Sequence, residues 1–173
     1  SFFFFFSPVL TRPPVPCALL PPAAEDLAAC EDPACPPCDL SRFNPIDEHG
    51  DFEDARIGIV CGGVSAAYAR EALCRLEDDA LRRGEALPAY RFMQVGTPFP
   101  FPEARADAFL DGLERIVVFE ELDSVIEDEL VRLCGLRAAA GKPVVSVRGR
   151  RSWPHAAGEN TVESAEAALG RAL

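Results

Sequence analysis

"RIGIVCGGVSAAYAREAL", Arg56 to Leu73, is the stretch on which the fold turns. Ile57 to Val60 is a short, unbroken apolar run, the pattern of a strand covered on both faces. Gly62-Gly63 follows as a tight turn. From about Ser65, small and apolar residues recur at Ala69, Ala72, Leu73, Leu76 and Ala80. That spacing of i, i+3, i+4, i+7 and i+11 marks one face of a helix, which Gly84 can end. A strand, a glycine turn and a helix form a βα unit. Such a turn either cradles a phosphate or only reverses the chain.

The same alternation continues outward. Tyr90–Val95 reads as a second strand, and Pro102 suits the first turn of a helix whose inner face is Ala106, Phe109, Leu110 and Leu113. Ile116–Phe119 is a third apolar strand. Asp123 or Ser124 can cap a helix running to Cys134, with Gly135 as its stop. Val144–Val147 supplies a fourth strand. Asn160 and Glu163 have capping-box spacing ahead of a last helix that reaches Leu173. Strands and helices alternating at these intervals imply right-handed crossovers. The expected fold class is therefore α/β, a mostly parallel sheet with helices on both faces, over residues 51–173.

Residues 1–50 read differently. They hold ten of the sixteen prolines and four of the seven cysteines, with little hydrophobic periodicity. Such a composition does not pack a core, and an irregular segment is expected there. "SFFFFF" has neither the basic flank of a signal peptide nor the length of a membrane span. The chain as a whole is 49% hydrophobic and 26% charged, with a net charge of −11. An acidic chain repels phosphates, so nucleic acid and anionic membranes are excluded as expected partners. The odd cysteine count fits a reducing, cytoplasmic setting better than a disulfide scaffold.

Several segments carry candidate chemistry. A dinucleotide site asks for G-x-G-x-x-G and an acid closing the second strand. Here the third glycine is missing and the second strand runs into Gln94-Val95-Gly96. No lysine follows the glycines, so the P-loop pattern is absent as well. A plain turn is the better reading of Gly62-Gly63, although Ser65 could cap the helix and its first amides could receive an anion. "GTPFPFPE" sets Thr97, Pro98, Pro100 and Pro102 in a stiff loop at the carboxyl end of the second strand, where ligands and partner domains sit in open α/β sheets. Glu120-Glu121 directly follows the third strand, and helix-end acids are the plainer reading of that pair. Cys30, Cys35 and Cys38 in "CEDPACPPC" invite a metal or redox reading, but the fourth thiol, Cys17, lies far back. His49 and His155 have no triad partners at readable spacing and are expected on the surface. "RGRRSW" is a small basic cluster suited to an acidic neighbour.

Four of these stretches, "GIVCGGVSAAYAREAL", "MQVGTPFPFPE", "IVVFEELDSVIEDEL" and the late "AGENT", occur in an order and spacing that resembles the large subunit of indolepyruvate ferredoxin oxidoreductase. The match runs from about Ser41 to Leu173. It looks like the domain of that enzyme similar to the transketolase C-terminal domain. The resemblance implies oxidative decarboxylation of aryl pyruvates to acyl-coenzyme A by the whole enzyme. It also implies thiamine diphosphate, magnesium and 4Fe-4S clusters, with ferredoxin and a small (beta) subunit as partners. Neither a G-D-G stretch followed by asparagine nor a cysteine-dense cluster motif is found in this sequence. The chain is thus expected to be one domain of a longer enzyme. It is expected to hold no catalytic, cofactor or metal residue of its own.

Right-handed crossovers place all strand ends of a parallel sheet on one edge. Gly62, Gly63 and Ser65, the loop residues Thr97, Pro98 and Pro100, and Glu120 with Glu121 are accordingly expected to converge as a docking surface. Two other classes stay open from sequence. One is a free-standing nucleotide- or coenzyme A-binding module. The other is a small metal or redox adaptor built on the N-terminal cysteines.

Overall fold

The computed structural model describes residues 43–51, 53–152 and 159–173. Within the unit Ser41–Leu173 the strands are β1 (Ile46–His49), β2 (Ile57–Gly62), β3 (Tyr90–Val95), β4 (Arg115–Phe119) and β5 (Ser146–Arg148). The helices are α1 (Ser65–Arg82), α2 (Glu103–Phe109), α3 (Val125–Ala139) and α4 (Val162–Leu169). The sheet order is β1-β3-β2-β4-β5. Three of its pairings are parallel, and only β1 runs antiparallel, against β3. The α/β sheet expected from the alternating pattern is present.

Both faces of the sheet are covered, and the period-2 alternation of each strand divides them. Ile57, Ile59 and Cys61 of β2 join Phe92, Val117 and Phe119 beneath α1 and α4. Val60, Met93, Val95, Ile116 and Val118 pack on the other face against α2 and α3. This explains why β2 reads as a continuous apolar run. Gly58 sits on the α2 side, where a Cβ would come within 2.6–2.9 Å of Leu113, Ile116 and Phe109. Glycine lets that helix layer close on the strand.

Several boundaries differ from the sequence pattern. Residues 46–49 fall in the segment expected to be irregular, yet they form an edge strand. Ile46 packs against the α2–α3 face of the core, and residues 46–49 pair with Tyr90 to Met93. Four residues alternating beside a proline are too short to register as periodic, and β3 supplies the order. Residues 1–42 lie outside the described residues, as do His155 and the cysteines Cys17, Cys30, Cys35 and Cys38. α3 continues through Gly135 to Ala139, because burial of Leu133, Cys134 and Arg137 carries the helix past the glycine. Its stop is Gly141, at φ +79°. The last strand is Ser146–Arg148, and Val144 is exposed. The last helix is capped by Thr161, which exchanges bonds with Ser164 in a capping box one residue later than the expected Asn160–Glu163 pair.

At the amino edge of the sheet an ionic cluster ties α2 to α3. Arg137, nearly buried, reaches Asp107 at 2.5 Å and Asp111 at 2.6 Å, and Lys142 meets Asp107 at 2.8 Å. The Lys142 and Arg137 hydrogen bonds hold the Asp107 carboxyl below the ordinary aspartate range. His49, half-exposed as expected, stacks on Tyr90 with ring centres 4.7 Å apart.

Candidate functional site

The order of the four parallel strands, β3-β2-β4-β5, reverses at β2. The chain leaves β2 toward β3, then crosses back to β4 on the other side. Such a switch point opens a crevice at the carboxyl ends of the strands. A cavity of about 520 Å³ lies there, between the Gly62-Gly63 turn, the end of β3 from Gln94 to Gly96 with Pro98, and the segment from Glu120 to Asp123.

Each wall has a local cause. Gly63 takes φ +55°, a left-handed turn open to glycine, and α1 starts directly after it. A Cβ on Gly62 would collide with Ile126 Cδ1, so the glycine lets α3 approach the strand end. The loop after β3 is held by Asn44, a fully buried side chain. Its Oδ1 accepts the amides of Gly96 at 3.0 Å and Thr97 at 3.3 Å, and its Nδ2 donates to Thr97 Oγ1 at 2.9 Å. Gly96 also donates to the Phe43 carbonyl, which stands where its side chain would be.

Glu120 caps α3. Its two carboxylate oxygens accept the Ile126 amide at 2.7 Å and the Glu127 amide at 2.9 Å. Ser124 occupies the cap position but its side chain makes no cap bond. A carboxylate six residues upstream thus satisfies the helix start and complements its dipole. Burial pushes the Glu120 carboxyl above the ordinary glutamate range, and the amide bonds pull the other way. Asn160 closes the arrangement, donating from Nδ2 to Ser65 Oγ at 2.8 Å and to the Glu120 carbonyl at 3.0 Å. Glu127 is buried too and accepts the Arg151 amide at 3.2 Å, while Arg151 meets Asp128 at 2.7 Å. The basic cluster in "RGRRSW" has the acidic neighbour its sequence suggested.

Of the residues expected to converge, Gly62, Gly63, Pro98, Glu120 and Glu121 line this one cavity. Ser65 and Thr97 lie beside it but face inward, Ser65 bonded to Asn160 and Thr97 to Asn44. Pro100 stands further along the loop. Sequence reasoning missed Asn44 and Glu127, and it read Asn160 only as a helix cap. An asparagine before proline in a proline-rich run reads as a turn residue, and nothing local marks it as the post that holds a loop 53 residues away. Asn160 lay within the "AGENT" stretch, so its position was visible but its bonding was not.

The titratable groups lining the cavity are Glu120, Glu121 and Asp123, all acidic. Three carboxylates without a cation oppose a diphosphate, so the charge of the lining does not suit thiamine diphosphate or a nucleotide. Both Glu120 oxygens are already taken by amides. Among the described residues no three His, Cys, Asp or Glu side chains gather in a way that could hold a metal ion. The described cysteines stand apart, with Cys61 in β2, Cys74 in α1 and Cys134 in α3. Burial pushes the thiols of Cys61 and Cys134 up, against the thiolate form a cluster ligand needs. None of the described helices is long and apolar enough to cross a membrane.

A stretch of 90 residues is 38% identical to the subunit IorA from Pyrococcus horikoshii. The chain is similar to the indolepyruvate oxidoreductase subunit IorA. The IorA subunit of Thermococcus kodakarensis is 37% identical over 78 residues, and that of Methanothermobacter thermautotrophicus 32% over 97. These stretches cover 52%, 45% and 56% of this chain but only 12%, 11% and 14% of the relatives. The chain thus spans a small part of the length of the IorA subunits it matches. No family model matches it. Among solved structures, a 2-oxoglutarate:ferredoxin oxidoreductase from Magnetococcus marinus aligns at TM-score 0.44 and 20% identity. It covers 76% of this chain and 20% of that one. A split gene transketolase, an inactive beta4 tetramer, aligns at TM-score 0.49 and 17% identity, over 75% and 41%.

Proposed function

We propose that this chain is one domain of an IorA-type large subunit of indolepyruvate ferredoxin oxidoreductase, the part similar to the transketolase C-terminal domain. Its work is organisational. It docks neighbouring domains or subunits through the carboxyl edge of its sheet and catalyses nothing alone. In the whole enzyme an aryl pyruvate is decarboxylated and its acyl group passes to coenzyme A, with electrons leaving to ferredoxin. Thiamine diphosphate, magnesium and 4Fe-4S clusters belong to other parts of that enzyme, as does the small (beta) subunit. The cytoplasm is the compartment that suits it. The observation that carries this reading is the similarity itself, about half of this chain against 12% of a relative.

The test is co-expression with the remaining domains of an IorA-type large subunit and its small subunit. The chain is expected to co-purify with them and to restore turnover of indolepyruvate with coenzyme A and ferredoxin. Turnover by the chain alone would overturn the proposal, and so would its recovery as a free monomer beside an active assembly.

A further inference from the structure

The mouth of the cavity is apolar beyond what the fold requires. Val64 and Val125 are about half exposed, and Leu122 is 78% exposed. All three line the same cavity. Phe99, beside Pro98 on the same loop, is 72% exposed. Leu122 also has φ +65°, a backbone conformation that a leucine adopts only at a cost. Among the described residues its side chain joins neither face of the core. The flanking residues Glu121 and Asp123 are carboxylates that form no ion pair or side-chain hydrogen bond among the described residues, and no described cation lines the cavity.

Resting on the docking role proposed above, we infer that this edge receives a basic, apolar segment of a neighbouring domain or subunit. A leucine-type side chain fills the space between Val64, Leu122 and Val125. A lysine or arginine beside it lies against Glu121 and Asp123. Apolar anchors carry the affinity of such contacts, while rim charges select the partner and set the salt dependence. An acidic segment or an anionic ligand meets the same carboxylates and is rejected.

The experiment records amide spectra of the folded chain with three short peptides, one alternating leucine and lysine, one leucine and glutamate, one serine and lysine. The leucine–lysine peptide is expected to shift the amides of Gly62, Gly63, Gly96 and Leu122. The other two are expected to bind at least about tenfold more weakly. Glu121→Lys with Asp123→Lys should weaken the first peptide by about tenfold, and Leu122→Ser should do the same. The spectra of these variants report directly that each remains folded. Equal binding of the leucine–glutamate peptide, equal binding of the serine–lysine peptide, or shifts confined to another face would each overturn the inference. If the chain still co-purifies with its IorA-type partners while ignoring the leucine–lysine peptide, the occupant is wrong and the docking role stands.

Discussion

Glu120→Ala removes the acceptor for two helix-start amides at once. The Ile126 and Glu127 amides belong to residues that are 4% and 3% exposed, so neither is freely solvated after the change. A buried amide left unsatisfied costs about 1–3 kcal/mol, and loss of a helix cap about 0.5–2 kcal/mol. Relief from burying a carboxylate offsets part of this, and water can enter from the open cavity. The low end therefore applies, about 2–3 kcal/mol, which lowers the melting midpoint by about 8–12 °C for a unit of this size. Glu120→Gln keeps one oxygen acceptor but turns an N–H toward the second amide, and about half of that loss is expected. Urea unfolding followed by circular dichroism measures both. The sign of the pH dependence follows from burial. A carboxyl held above its unfolded range stabilises fully at acid pH and loses that contribution as pH rises through its elevated value. The deficit of Glu120→Gln is thus larger near about pH 4 than near about pH 7. A loss under about 0.5 kcal/mol for Glu120→Ala would refute the capping argument, since that is the scale of an ordinary surface change.

A chain beginning at Ser41 is expected to melt as one cooperative unit. One beginning at Asp51, without β1 and Asn44, should lose about 2–4 kcal/mol by the same unfolding assay. Gly62→Ala drives a methyl into Ile126 and is expected to cost about 1–3 kcal/mol. Gly135→Ala, in mid-helix with open space around it, should stabilise by about 0.4–1 kcal/mol; a loss there would contradict the helix running through Gly135. Asp107→Asn removes a carboxyl held below its ordinary range, whose contribution is present above the unfolded aspartate value and lost as pH falls. Unfolding midpoints are therefore expected to separate variant from parent near neutral pH and to converge toward about pH 2.

The order of elements and the class of sheet were legible in the sequence because they follow from local periodicity. The unbroken run Ile57–Val60, the helical spacing from Ala69 to Ala80 and the glycine after it need no distant partner to be read. The convergence of Gly62, Gly63, Pro98 and Glu120 was legible too, since parallel crossovers alone bring strand ends to one edge. What only the tertiary structure decided are the bonds between segments far apart in the chain. β1 exists because β3 offers it an edge, and Thr97 is fixed by Asn44, which reaches it from 53 positions away. Asp123 or Ser124 could cap α3 by its place in the sequence, yet the carboxylate of Glu120, placed there by the end of β4, accepts the helix-start amides. A sequence states which residues can cap, pair or turn. Which of them do so depends on which acceptor the packed sheet brings within three ångströms of which amide.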